Sequence, residues 1–270
     1  VSPSLSVVIP VKDDAPALRA CLAALAVQTV APLEVVVVDN GCTDESVAVA
    51  LAHGARVVAE PRPGIPAAAS AGYDAALGDV IVRCDADTRA PADWLARITA
   101  AFTSDPGLDA LTGDGDFYDL GPRGPLLARL YLGAYYTSLH GALAHPPLWG
   151  SNMALRRAVW LAVRDRVNRW DPEVHDDADL AFVLGPAARI RRDRTLRVGV
   201  SGRSLRGGRQ LRRRFARGFR TVAAHRSTSP TWRRWEHRLR HPDGGPRLLP
   251  PGPSPAPGPA EPLGPPSDPT

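Results

Sequence analysis

The stretch "EVVVVDNGCTDESVAVALAHGARVVAE", residues 34 to 60, sets the architecture of the chain. It opens on one valine run and closes on another, the pattern of parallel strands buried on both faces. Between them Thr43 offers an N-cap, Asp44 and Glu45 supply first-turn acids and Gly54 a stop, which predicts a helix. Runs of the same kind lie at 5 to 11, "LSVVIPV", and at 79 to 85, "DVIVRCD". The intervening "APALRACLAALAVQ" puts Leu18, Leu22 and Leu25 on one helical face. This alternation predicts an α/β protein with a doubly wound, mostly parallel sheet, right-handed crossovers and helices on both faces. Ligands of such sheets bind beyond the carboxyl ends of the strands, where Asp39 and Asp85 both fall.

Composition divides the chain into three territories. With 270 residues, 44% hydrophobic and 23% charged, there is room for one sizeable core and an appendage. Residues 1–202 form the periodic body, and 203–240 is rich in arginine with Glu236 as its single acid. The net charge of +5 is therefore carried by that segment, and the body is net acidic. Residues 241–270 are rich in proline and glycine without a collagen period, and disorder is expected there. Cys21, Cys42 and Cys84 form no CxxC pair and have no nearby histidines at ligand spacing, which disfavours a disulfide framework or a structural zinc site. A reducing, cytoplasmic compartment fits. No leader pattern and no run of about 18 apolar residues is visible, so a soluble or peripheral protein is expected.

In "VIVRCDADTRAP", residues 80 to 91, Asp85 and Asp87 stand two apart, and an extended chain would aim both carboxylates at one point. Two anions that close are favourable around a cation, and oxygen ligands select a hard ion such as Mg²⁺ or Mn²⁺. Such ions complete their shell with water and substrate phosphates, so the pair reads as half of a site for a metal-bound diphosphate. The competing reading is a solvated turn. Neither GxGxxG nor GxxxxGK[ST] occurs, which disfavours dinucleotide oxidoreductases and P-loop enzymes.

The ordered set "SVVIPVKDDAPALRACLAALAVQT", "EVVVVDNGCTDES", "RPGIPAAASAGYDAALGDVIVRCDADT", "GSNMALRR" and "HDDADLAFVL" resembles the family 2 glycosyltransferases of GT-A fold. The resemblance covers roughly residues 4 to 200 and implies a Rossmann-like sheet and inverting transfer of a sugar from a nucleotide-sugar donor, with a UDP-sugar expected. It implies that Asp39 contacts the nucleotide base, with Pro10, Asp13 and Asp14 lining the same pocket. Asp85 and Asp87 become the DxD-type pair holding the metal and the diphosphate. Asn152, in the "GSNMA" loop, borders donor sugar and acceptor, and Asp177 is the general base. Spacing alone does not decide which of Asp176, Asp177 and Asp179 faces inward, since all three also suit a helix N-terminus. Two features depart from the family pattern. Ala69 and Ser70 stand where an Arg-Asn pair is usual, with Arg62 as the nearest substitute, and "RQLRRRFARG" only loosely echoes a glutamine-arginine motif through Gln210 and Arg213.

Arg206, Arg209, Arg213 and Arg217, interleaved with Leu211, Phe215 and Phe219, suggest a basic amphipathic helix of the kind that docks on anionic membranes. A lipid-linked acceptor such as a polyprenyl phosphate, in cell-envelope or secondary-metabolite glycan synthesis, follows from that reading. Upstream, "LLARLYLGAYYTSLHGALAHPPLW" reads as an interfacial or acceptor-binding helix or as a core helix. The rival classes are a nucleic-acid or anionic-surface binder using the arginine segment and a nucleotidyltransferase on a similar sheet. The few aromatics between the arginines argue against nucleic acid.

Overall fold

The computed structural model describes residues 2–205, 208–226 and 229–242. The Gln210–Arg213 echo, the face formed by Arg206, Arg209, Leu211, Arg213 and Phe215, and the tail from 243 onward lie outside the described residues and side chains.

In chain order the elements are β1 (Leu5–Val11), α1 (Ala15–Ala26), β2 (Glu34–Asp39), α2 (Ser46–Ala52), β3 (Arg56–Ala59), α3 (Ile65–Ala75), β4 (Val80–Arg83) and α4 (Trp94–Ser104). They continue as β5 (Ala110–Phe117), α5 (Gly124–Leu143), β6 (Met153–Arg156), α6 (Arg157–Val163), α7 (Asp176–Leu184), β7 (Ile190–Val200), α8 (Gly208–His225) and α9 (Thr231–Arg240). The strands form one sheet in the order β3-β2-β1-β4-β6-β5-β7. Neighbours are parallel except around β6, which runs antiparallel to both β4 and β5. The α/β, mostly parallel sheet expected from the sequence is thus the fold observed.

The two-residue period of a strand divides the apolar side chains between two cores. On β1, Val7 and Ile9 join α1 and α4 through Leu18, Leu22, Trp94 and Ile98, while Val8 joins α3, α6 and α7 through Tyr73, Trp160 and Leu180. Continuous valine runs are what a strand between two such layers requires. The run at β3 is the exception, since this strand is the sheet edge and none of its residues is fully buried. Gly72 lets α3 lie directly on the sheet: a Cβ there would stand 2.3 Å from Val8 Cγ1 and 2.8 Å from Val38 Cγ2.

The helix after β2 begins at Ser46 and not beside Thr43. Thr43 is held by Asp13, whose Oδ1 accepts from the Thr43 backbone N–H and hydroxyl at 2.6 and 3.1 Å, and Asp44 accepts from the N–H groups of Ala15 and Ser46. These side chains tie two loops together where local pattern alone reads a cap. Gly54 does stop the helix, at φ 73°.

The arginine-rich segment packs on the body. Arg217 pairs with Glu173 at 3.1 Å and Arg220 with Asp171 at 2.9 Å, while the His225 ring stacks on Phe182. On α9, Arg234 is buried and donates to the carbonyls of Leu143 and Phe182, which satisfies backbone acceptors at the end of α5 and within α7. Among the described residues no helix is long and apolar enough to cross a membrane.

Beside Arg234 lies His145, also buried, with Nδ1 2.9 Å from the Pro146 carbonyl and Nε2 3.5 Å from Arg234. Burial, with Arg234 adding its charge, pulls the imidazole down to about 3. A histidine depressed in the folded state contributes stability above its unfolded value of about 6.5 and loses it as pH falls toward the folded value. Unfolding should therefore take up close to one proton between about pH 6.5 and 4, a slope of up to about 1.4 kcal/mol per pH unit. Thermal melts across that range check this, and His145→Asn, whose amide can replace the Nδ1 donor, should flatten the dependence.

Candidate active site

A cavity of about 330 Å³ opens at the carboxyl ends of β1 and β4. Parallel strands direct their following loops there, which brings Pro10, Val11, Lys12 and Asp14 from the end of β1 together with Asp85, Ala86 and Asp87 behind β4. Because β6 is reversed, it is the loop ahead of it, Trp149 to Ser151, that reaches the same edge. The N-terminus of α7 supplies Asp176 and Asp177, α5 supplies Tyr131 and Tyr135, and the chain leaving β7 supplies Ser201 and Arg203.

The strand ends at Arg83, so Asp85 and Asp87 do not converge by strand alternation. They sit in a turn closed by the Thr88 N–H to the Asp85 carbonyl at 3.0 Å, and the Thr88 hydroxyl lies 3.1 Å from the Asp85 N–H. Both side chains still face the cavity. The Ser151 hydroxyl donates to Asp85 Oδ2 at 2.5 Å, and Arg203 Nη2 contacts both Asp14 Oδ2 and Asp87 Oδ2, the latter at 3.1 Å. Burial and the charge of Asp85 push Asp87 up to about 6, with Arg203 pulling the other way. A carboxylate so raised by burial and a like neighbour is common at functional sites.

The acids of α7 have three separate tasks. Asp179 is buried and receives the Asn168 N–H at 2.7 Å and His225 Nε2 at 2.7 Å. Asp176 receives Arg83 Nη1 at 2.7 Å. Asp177 faces the cavity, its Oδ2 accepting from the Gly150 N–H at 2.8 Å and its Oδ1 from the Ala178 N–H at 2.7 Å. Asp176 and Asp177 both border the cavity, and what distinguishes Asp177 is its bond from the loop before β6.

Arg83 is a functional neighbour that sequence reading passed over. It ends an otherwise apolar buried run, and a guanidinium there must be paired. It is 3% exposed and contacts Asp176 and, at 3.4 Å, Asp85, while its Nε has no hydrogen-bond partner among the described residues. Burial works against its charge, but the carboxylates of Asp176, Asp85 and Asp177 outweigh this and keep it protonated. Burial likewise lifts the Asp176 carboxyl, to about 7, against the pull of Arg83. Gly150 lies against this guanidinium, with a Cβ at that position only 2.0 Å from Arg83 Nη1. Phe117, Tyr131, Tyr135 and Trp149 complete an apolar wall with no sequence motif to announce it.

Not every residue singled out from the sequence reaches the cavity wall. Pro10, Asp14, Asp85, Asp87 and Asp177 do. Asp13, at φ 49°, turns toward Thr43, and Asp39 Oδ1 accepts from the Cys42 N–H at 2.7 Å, so both shape the loop behind the cavity. Asn152 lies in the core. Its Oδ1 accepts from Trp94 Nε1, and its Nδ2 donates to the carbonyls of Asp114 and Leu196. Arg62 stacks on Trp170, 4.0 Å from the ring centroid, and Ala69 and Ser70 are buried within α3.

Solved structures share this architecture. The mannosyltransferase PcManGT from Pyrobaculum calidifontis, in complex with GDP-Man and Mn²⁺, aligns with a TM-score of 0.57 at 19% identity, over 84% of this chain and 75% of that one. Glucosyl-3-phosphoglycerate synthase from Mycobacterium tuberculosis, in complex with Mn²⁺, UDP and glucosyl-3-phosphoglycerate, aligns with a TM-score of 0.55 at 20% identity, over 82% and 80%. At these identities the likeness is one of fold, the GT-A fold. An uncharacterized glycosyltransferase of Mycobacterium tuberculosis is 39% identical over 110 residues, which is 41% of this chain and 48% of the relative. The chain thus spans about half the length of the curated relatives it matches. Glycosyl transferase family 2 matches residues 6–160, from β1 into α6, and so takes in the sheet edge, the acidic turn and the loop before β6. With more than half of its length matched, the chain belongs to glycosyl transferase family 2.

Proposed function

We propose that the cavity transfers a glycosyl group from a nucleoside diphosphate sugar, with UDP as the expected nucleotide, to an acceptor hydroxyl, with inversion at the anomeric carbon. One observation carries the reading: Asp177 is fixed by two backbone N–H groups on the wall of the cavity that also holds Asp85 and Asp87. An acceptor hydroxyl is too weak an acid to attack unaided. Asp177 takes its proton as the oxygen approaches the anomeric carbon on the face opposite the leaving diphosphate, and no covalent enzyme intermediate is required.

The oxygen-only set of Asp85 and Asp87 fits a Mg²⁺ or Mn²⁺ ion, and Asp87, raised first by burial and then by the charge of Asp85, would be relieved by a cation beside it. When bound, the ion supplies Lewis-acid neutralisation of the diphosphate. Arg203, already on Asp14 and Asp87, adds the chain's own positive charge toward the leaving group. Pro10 and Asp14 border the nucleotide, and Asp39 and Asp13 hold the loop against which its base rests. A lipid phosphate acceptor, such as a polyprenyl phosphate, is the second acceptor class that the exposed leucines of α5 beside Tyr131 favour.

The test is release of UDP or GDP from a panel of nucleotide sugars with Mn²⁺. One donor is expected to be turned over and to raise the melting temperature, and Asp87→Ala is expected to cost about 10²-fold or more in turnover. A panel in which no donor is consumed and none shifts the melting temperature sinks the proposal.

A further inference from the structure

The outer face of α5 does not match that of an ordinary surface helix. Over Gly124–Leu143 there is no acidic residue, and the charges are Arg129 and His140 alone. Its inner stripe, Ala128, Leu132, Tyr136, Leu139 and Leu143, is buried as a core helix requires. The opposite stripe is also apolar: Leu126 is 59% exposed, Leu127 40% and Leu130 62%, followed by Gly133, Ala134, Thr137 and Gly141. Its N-terminal half is open, a Cβ built on Gly133 meeting nothing within 4 Å, while at the far end α9 packs on the helix, Trp235 Nε1 donating to the Gly141 carbonyl at 2.8 Å. An exposed leucine row over the first two turns of a helix is an interaction surface.

We infer that this row of α5 lies in the headgroup–acyl boundary of an anionic bilayer. The charge around it selects that occupant. Arg123 and Arg129 flank the leucines, and neither has an ion-pair partner among the described residues. Against a second copy of the chain, a two-fold contact would set each arginine near its own mate with no acid on the helix to separate them. Anionic headgroups supply the missing partners, and the leucines enter the acyl edge beneath them. The helix lies on the surface and does not cross it.

The contact differs from the one the arginine segment suggested. Arg217 and Arg220 pair with Glu173 and Asp171, and Arg234 donates to backbone carbonyls, so these three arginines are turned to the fold. Tyr131 and Tyr135, from the stripe beside the leucines, line the cavity, so a bilayer on α5 holds the cavity mouth at the lipid boundary. The surface stands apart from the transfer reaction and is tested without it.

The full chain should co-sediment with vesicles of phosphatidylcholine mixed with phosphatidylglycerol, and far less with phosphatidylcholine alone. Leu126→Glu with Leu130→Glu should weaken this by more than about tenfold at an unchanged melting temperature, and Arg123→Gln with Arg129→Gln should erase the preference for the anionic lipid. Any of four results overturns the inference: no vesicle binding, binding that the leucine pair leaves unchanged, a dimer in solution that the leucine pair dissociates, or binding that appears only after removal of residues 243–270.

Discussion

Asp177→Asn is expected to slow transfer to a hydroxyl acceptor by about 10²- to 10⁴-fold, the usual worth of a general base, while the nucleotide sugar binds as before. The isosteric amide keeps one acceptor oxygen for a backbone N–H, so the Gly150 loop need not collapse. What is lost is the capacity to take a proton. Single-turnover rates separate this from a binding defect, because the change should fall on the chemical step alone. The size of the loss also identifies the acceptor class. A phosphate acceptor is already ionised and asks nothing of a base, so a variant with near-normal rates would exclude the hydroxyl mechanism.

The second large effect is structural. Arg83→Met should destabilise the fold by about 3–5 kcal/mol, the usual cost of removing one partner from a buried ion pair. The methionine fills the space, but Asp176 is left buried without its cation and beside Asp85 and Asp177. Replacing Asp176 by leucine in the same chain removes the stranded carboxylate and should recover most of the loss. Urea or thermal unfolding of the single and double variants measures both numbers. A single variant as stable as the parent would show that the pair contributes little.

The alternating architecture was legible because it depends on local pattern. Valine runs and helical faces repeat within a few residues, and β1, β2, β3, β4, α1 and α2 follow from them. Asp85 and Asp87 were legible for the same reason, since the end of a strand run places them at one edge, whereas Asp14 entered only through the family resemblance. Asp177 was named by the family resemblance alone, and no spacing within "HDDADL" shows its bond from the distant Gly150 N–H. Asn152 stands in a loop that reaches the site, but its amide is consumed by Trp94 and two carbonyls of β5 and β7, a demand visible only in three dimensions. Arg83 carried a signal that could have been read, a charge closing a run too apolar for water. The packing of α8 and α9 on the body had none, because their charge pattern suits a free surface as well as a row of acidic neighbours.

The reversal of β6 sorts the connections of the sheet by what they can vary. Those leaving β1, β4 and β7 meet at the cavity, and so does the one entering β6, while the one leaving β6 opens at the far end and runs straight into α6. Lengthening the segment 144–149 would therefore reshape the wall of the cavity that Trp149 and Gly150 form without breaking a strand pair. Lengthening at Arg156 would break its pairing with Val80 and its hydrogen bonds to the carbonyls of Leu108, Phe102 and Asp105, so that end of β6 is closed to variation.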